Sequence, residues 1–205
     1  MKEKGKLIVM TLLSILIFYT NTTKRSRYKY VSSSPDMELV KKAEAGDAVS
    51  QYDLANWYGY RKRDEQYKEW LIKAAGQGLS DAQYDLAVSY DSGDGAEQNK
   101  ALAVIWYWEA ANNGNYEASY NLGLMYDTGE YVTMDKKLAF YYYMVSAKHG
   151  HVPAMHNVGV SYYDGEGVKK DKHEALKWFK KAADRGNDRA YYNYNVVLEE
   201  LSKSR

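Results

Sequence analysis

The chain contains no cysteine. Disulfides, thiol chemistry and a lipidated N-terminal cysteine are therefore excluded. Proline occurs only twice in 205 residues, which leaves long stretches free to form helices. Net charge is also nearly absent, at +1, but it is unevenly spread. Residues 1–30 hold seven basic side chains against Glu3, or +6, so the remainder carries −5. A mildly acidic body argues against nucleic acid as a partner.

An apolar run covers residues 7–19, follows Lys2, Lys4 and Lys6, and has the length of a signal-peptide core. The uncharged stretch 7–23 is at the short limit for crossing a bilayer. Thr20, Asn21 and Thr22 make a poor cleavage site. Residues 1–23 are thus expected to be a signal peptide or signal anchor, with residues 24–34 as a basic, serine-rich linker. The expected location is the periplasm, either free or anchored to the inner membrane, with membrane contact through 7–23 if uncleaved.

What is abundant is tyrosine, at 22 residues, and it recurs in register. SQYDLANWY at 50–58 is echoed by AQYDLAVSY at 82–90, ASYNLGLMY at 118–126, AMHNVGVSY at 154–162 and AYYNYNVVL at 190–198. The starts are 32, 36, 36 and 36 residues apart. Between them run KAAGQG, EAANNG, VSAKHG and KAADRG, ending in Gly78, Gly114, Gly150 and Gly186. A fixed period of this size is the signature of a repeat architecture. Each unit reads as two helices. Ala82, Leu86 and Tyr90 form the apolar face of the first. The small residue after the Leu (Ala55, Ala87, Gly123, Gly159) permits close helix approach. Asn99, Asp135 and Asp171 stand where the second helix begins and suit N-caps. Ser34-Pro35 is expected to open a leading helix, with Pro35 in its first turn.

The glycine-rich SGDG at 92–95 could suggest a phosphate loop. It recurs as TGEY at 128–131 and DGEG at 164–167, and no Lys-Ser/Thr follows it. It reads as a turn. Ser26 and Lys29 match S-x-x-K, but no S-D-N or K-T-G partner accompanies them. His149, His151 and His156 lie close in sequence, yet two flank a helix-ending glycine and the third occupies a tyrosine column. No catalytic residue, metal site or cofactor is expected.

The pattern A-x-Y-N/D-L-G-x-x-Y, G-x-G, K-A-x-x-W, K-A-A-x-x-G resembles the Sel-one-like repeat, a relative of the tetratricopeptide repeat. Residues 154–186 match it best, whereas the unit after residue 115 has Tyr131 at its second loop glycine. The resemblance implies an all-α, right-handed α/α solenoid over residues 35–202. Its repeats would lie near 47–78, 79–114, 115–150 and 151–186, closed by a capping helix at 188–202. It also implies protein binding rather than catalysis. Two columns of the first helices are offset by four and form one stripe. They are Tyr52, Tyr84, Tyr120, His156 and Tyr192, and Asn56, Val88, Leu124, Val160 and Val196. By resemblance this stripe lines a groove. A tyrosine surface offers large contact area with polar tips, while stacking between helices would explain the same regularity. The partner implied is a protein. An immunity protein that neutralises a lipase- or phospholipase-type antibacterial effector is one reading, and a scaffold for an envelope complex or signalling pathway is the other.

Overall fold

The computed structural model describes residues 34–203, so the apolar run at 7–23, nearly all of the linker and the Ser26–Lys29 motif lie outside it. Every element within 34–203 is an α-helix or a turn. The chain divides into two compact units, Met1–Trp70 and Leu71–Arg205.

The described part of the first unit holds α1 (Met37–Glu44), α2 (Ala48–Gly59) and the start of α3 (Asp64–Gly76). Helix α1 begins later than the Ser-Pro pair suggests. Asp36 is its cap, accepting from the Glu38 N–H at 2.9 Å. Pro35 therefore precedes the cap rather than sitting in the first turn, because a carboxylate satisfies an orphan N–H and a proline cannot. Asp47 caps α2 in the same way, accepting from the Ser50 N–H at 2.8 Å. The buried Gln51 amide donates to the Ala43 carbonyl at 3.0 Å and ties α2 to α1.

The second unit continues through α4 (Ser80–Ser92), α5 (Lys100–Asn112), α6 (Tyr116–Thr128), α7 (Lys136–Lys148), α8 (Val152–Asp164), α9 (Lys172–Ala183) and α10 (Asp188–Lys203). Asn99, Asp135 and Asp171 cap α5, α7 and α9 through their side chains. The glycine that follows each second helix adopts the left-handed region, as Gly114 does at φ 89°. The Asn115 N–H then reaches back to the Ala110 carbonyl at 2.9 Å, a Schellman closure.

The SGDG segment is a turn. Gly93 and Gly95 have φ of 80° and 77°, and the Asn99 N–H closes on the Tyr90 carbonyl at 2.8 Å. The same bond recurs as Asp135 to Tyr126 and Asp171 to Tyr162. Tyr131, in place of the second glycine, is held at φ 66°. A left-handed non-glycine residue costs about 1–2 kcal/mol. Its ring lies under the Lys100 ammonium, 4.8 Å away, a contact that offsets part of this cost.

The core of this unit runs through the small residues. Ala82, Leu86, Ala87, Ala118, Leu122, Ala154 and Val158 are fully buried. On α6 and α8 the first helix packs a glycine against an aromatic from its second helix. A Cβ on Gly123 would meet the Tyr143 ring at 2.5 Å, and one on Gly159 the Phe179 ring at 2.6 Å. The absence of a side chain is what lets those rings in.

Candidate functional site: the tyrosine stripe and its open end

Position 36-residue repeats place Tyr84 on α4, Tyr120 on α6, His156 on α8 and Tyr192 on α10. The first three are half-buried. Each leans on the deep aromatic of its own second helix. Tyr84 lies 5.9 Å from Tyr107, Tyr120 6.0 Å from Tyr143, and His156 5.7 Å from Phe179, centroid to centroid.

Their polar tips meet the next unit. The Asn121 side chain lies beside the hydroxyls of Tyr84 and Tyr107. Asn157 is placed in the same way beside those of Tyr120 and Tyr143. At the third joint Phe179 has no hydroxyl, and the Asn193 amide meets His156 Nε2 at 3.1 Å. The asparagine column of one repeat thus sits next to the aromatic column of the repeat before, and at the third joint it is bonded to it. Burial raises the pKa of Tyr84, Tyr107, Tyr120 and Tyr143, so all four hydroxyls keep their protons.

A second network runs beside this one. The Tyr143 hydroxyl donates to Asp127 at 3.2 Å. Lys136 bridges Asp127 at 2.8 Å and Glu166 at 3.0 Å. Lys100 pairs with Asp91 at 2.8 Å, and Lys172 with Glu200 at 3.0 Å. The lysines are one period apart. Their partners differ because Tyr163 replaces the aspartate of the other units, and its hydroxyl donates to Glu200 at 2.9 Å.

The second column of the stripe, Val88, Leu124 and Val160, is half-buried beside the tyrosines. In the first unit Tyr52 and Asn56 share α2 and are also half-buried. The exception is Tyr192, 70% exposed. Beside it opens a hollow of about 290 Å³ lined by Val160, Tyr163, Phe179, Tyr192, Asn193 and Val196. The stripe therefore has a packed stretch, where each ring serves a joint, and an open end between α8 and α10. The tyrosine column by itself gives no sign of this difference. Around it the sequence does change on α10: Tyr194 stands in the place of Leu86, Leu122 and Val158, Asn195 in that of Ala87, Gly123 and Gly159, and Leu198 in that of Tyr90, Tyr126 and Tyr162.

The histidines do not converge. His149 Nδ1 faces the Val145 carbonyl at 2.9 Å, His151 lies against the Tyr120 ring at 4.5 Å, and His156 is engaged with Asn157 and Asn193. Among the described residues no group of three or more His, Cys, Asp and Glu is placed to hold a metal ion. Nor does any described helix have the length and apolarity to cross a membrane.

Paired helices recurring every 36 residues, with Ala or Gly where α4, α6 and α8 meet the aromatics of their second helices, define an α-repeat solenoid. The chain belongs to the Sel1 repeat family, whose profile matches residues 48–79, 80–115, 117–151 and 152–187. It is similar to a protective antigen of uropathogenic Escherichia coli strains with an SLR fold, at 36% identity and TM-score 0.71 over 77% of this chain and 35% of that one. It is also similar to a Sel1 repeat protein from Oxalobacter formigenes, at 32% identity and TM-score 0.73 over 80% of this chain and 48% of the other. A 68-residue stretch is 32% identical to the chitin synthase regulator SKT5 of Saccharomyces cerevisiae, covering 30% of this chain and 10% of that protein. The chain thus spans about a third to a half of the two solved relatives and a tenth of the yeast protein. Its fold is an all-α repeat solenoid. Sel1 repeats are protein-interaction modules and generally non-catalytic scaffolds.

Proposed function

We propose that this chain is a non-enzymatic protein-binding module of the cell envelope, and that its partner seats a side chain in the open end of the tyrosine stripe. The observation that carries this is the hollow of about 290 Å³ beside Tyr192. Its walls are mostly apolar, Asp164 and Asn193 are polar groups of its lining, and Tyr192 stands exposed beside it. An apolar pocket rimmed by a few polar groups is the usual seat for an anchoring residue. Tethering through residues 7–23, with the body in the periplasm, rests on the apolar run and its flanking lysines. The finer reading is an immunity protein that blocks a lipase- or phospholipase-type effector. It is supported by the resemblance to small exported repeat proteins with that role. The scaffold reading is favoured by the similarity to a protein described as a regulator.

The test is affinity capture from whole cells with the full chain and with Tyr192→Ala. The substitution should cut recovery of the specific partner tenfold or more, the equivalent of about 1.4 kcal/mol, with thermal stability unchanged. Capture of a secreted lipase whose activity the chain blocks supports the immunity reading. Recovery of envelope proteins alone supports the scaffold. An unchanged partner profile in Tyr192→Ala overturns the assignment of the open end as the seat.

A further inference from the structure

The second helices of the repeats carry a surface that the stripe does not use. On α5 and α7, Ile105, Trp108, Leu138 and Tyr141 are 53%, 47%, 39% and 59% exposed. Helices α5 and α7 bring this surface together: the Trp108 indole lies beside the Tyr142 hydroxyl, and the Tyr141 and Tyr142 rings lie 5.2 Å apart. No described residue packs over them. At about 200 Å² for a large side chain, the patch comes to roughly 400 Å² of apolar surface. That is the size of a functional patch on a monomer and about half of what one partner gives to a standard interface.

Charge says what fits it. The 36-residue register runs Ile105, Tyr141, Lys177 in one row and Trp108, Met144, Lys180 in the next. Two further rows run Glu97, Thr133, Lys169 and Glu109, Val145, Lys181. The segment around α5, residues 93–114, has three acids against Lys100, or −2. Residues 129–150 around α7 have three bases against two acids, or +1. Residues 165–186 around α9 have seven bases against four acids, or +3. The surface thus grades from acidic through apolar to basic, and a surface graded in this way is complementary to its own reversed copy.

We infer that the outer faces of α5, α7 and α9 form a two-fold, antiparallel interface between two copies of this chain. Helix α7 meets its symmetry mate at the axis, bringing Leu138 and Tyr141 together. Helix α5 lies on α9 of the partner. Lys180 of the partner subunit then reaches the face of Trp108, and Lys169 of the partner subunit reaches Glu97. Two-fold dimers bury the same patch on both sides, so the polar rim counts twice and supplies the remaining area.

The native chain has no cysteine, which makes the test free of background. In the full chain, Tyr141→Cys is treated with a bismaleimide whose reach matches packed helices, about 10 Å. Tyr192→Cys, on α10, serves as the control. A linked dimer from Tyr141→Cys alone is expected, with at least tenfold less when Trp108→Glu is added and helicity is retained. Glu97→Lys and Lys169→Glu should each reduce the yield several-fold, and the double variant should restore it. Equal linking of both cysteines, as association through residues 7–23 would give, overturns the interface. So does a charge swap that restores nothing. Protection of Tyr141→Cys from a charged maleimide by phosphatidylglycerol vesicles, but not by rising protein concentration, would assign the patch to lipid and overturn it as well.

Discussion

At position 159 there is no room for a methyl group. It would meet two carbons of the Phe179 ring at 2.6 Å, and that ring is only 1% exposed and packed in the core, so it must shift to make room. Gly159→Ala should therefore destabilise by about 1–3 kcal/mol, read as a lower urea midpoint at unchanged slope. Adding Phe179→Leu should recover part of the loss. Asn157→Ala tests a different bond. It removes the side-chain oxygen that His156 Nδ1 meets at 3.2 Å and the amide beside the Tyr120 and Tyr143 hydroxyls, and should cost about 1–3 kcal/mol because partly buried polar groups lose a neighbour. If the asparagines were an exposed binding column instead, the melting curve would hardly move. That column was legible in the sequence as hydrogen-bonding groups, but not as groups already engaged. Spacing reports which residues share a face and says nothing of what stands opposite.

Between elements, the joint at α8 and α10 holds a partly buried histidine, His156. His156 Nδ1 faces the Asn157 carbonyl oxygen at 3.2 Å, and Nε2 receives the Asn193 amide at 3.1 Å. This pair of contacts suits a neutral ring with its proton on Nδ1. Burial lowers the pKa of His156, with Arg189 adding to the effect against the Asn157 bond that favours the charged form. Burial also lowers that of His151, opposed by Glu117. The native chain then binds fewer protons than the unfolded chain at mildly acid pH. Their contribution is complete above the ordinary histidine value of about 6.5 and is lost as pH falls below it. The thermal midpoint should be flat from pH 8 to 7 and drop toward pH 5. His156→Tyr, which restores the residue of the other repeats, should flatten part of that drop. An equal slope in the variant would place the titrating groups elsewhere. Helix positions and caps were largely legible, because glycines, asparagines and aspartates fix them locally. Which aromatic points inward was not. Columns 106/142/178 and 107/143/179 are both aromatic, so hydropathy does not separate them. The structure buries Tyr107 and Tyr143 to 2% and leaves Trp106 and Tyr142 half-exposed.

Across the second unit as a whole, stability is expected to be the sum of each repeat's own term and its contacts with neighbours. Helices α6 to α8 have a repeat on either side in the chain, whereas α10 leaves Tyr191, Tyr192 and Leu198 at 63%, 70% and 45% exposure. Amide exchange should accordingly be slowest in α6–α8 and fastest along α10, the graded opening expected of a linear array. A uniform rate throughout would show a single all-or-none unit. The periodic fold was readable at this scale from spacing alone, since neighbours in a repeat array are set by sequence order. The partner was not, because the positions that select it differ from one unit to the next.

The asparagine that stands beside two tyrosines of the preceding repeat has a consequence for how such a chain can change length. Donor and acceptors recur every 36 residues, so the cut ends match if one whole period is removed. Without residues 116–151, Asn157 would arrive at Tyr84 and Tyr107 in place of Asn121. Lys172 would follow Lys100 as Lys136 does now. Loss of 18 residues would instead join two helices of the same kind, and every bond would fall out of step. The protein resembles a sentence that stays grammatical when a clause is dropped, but not when half a clause is.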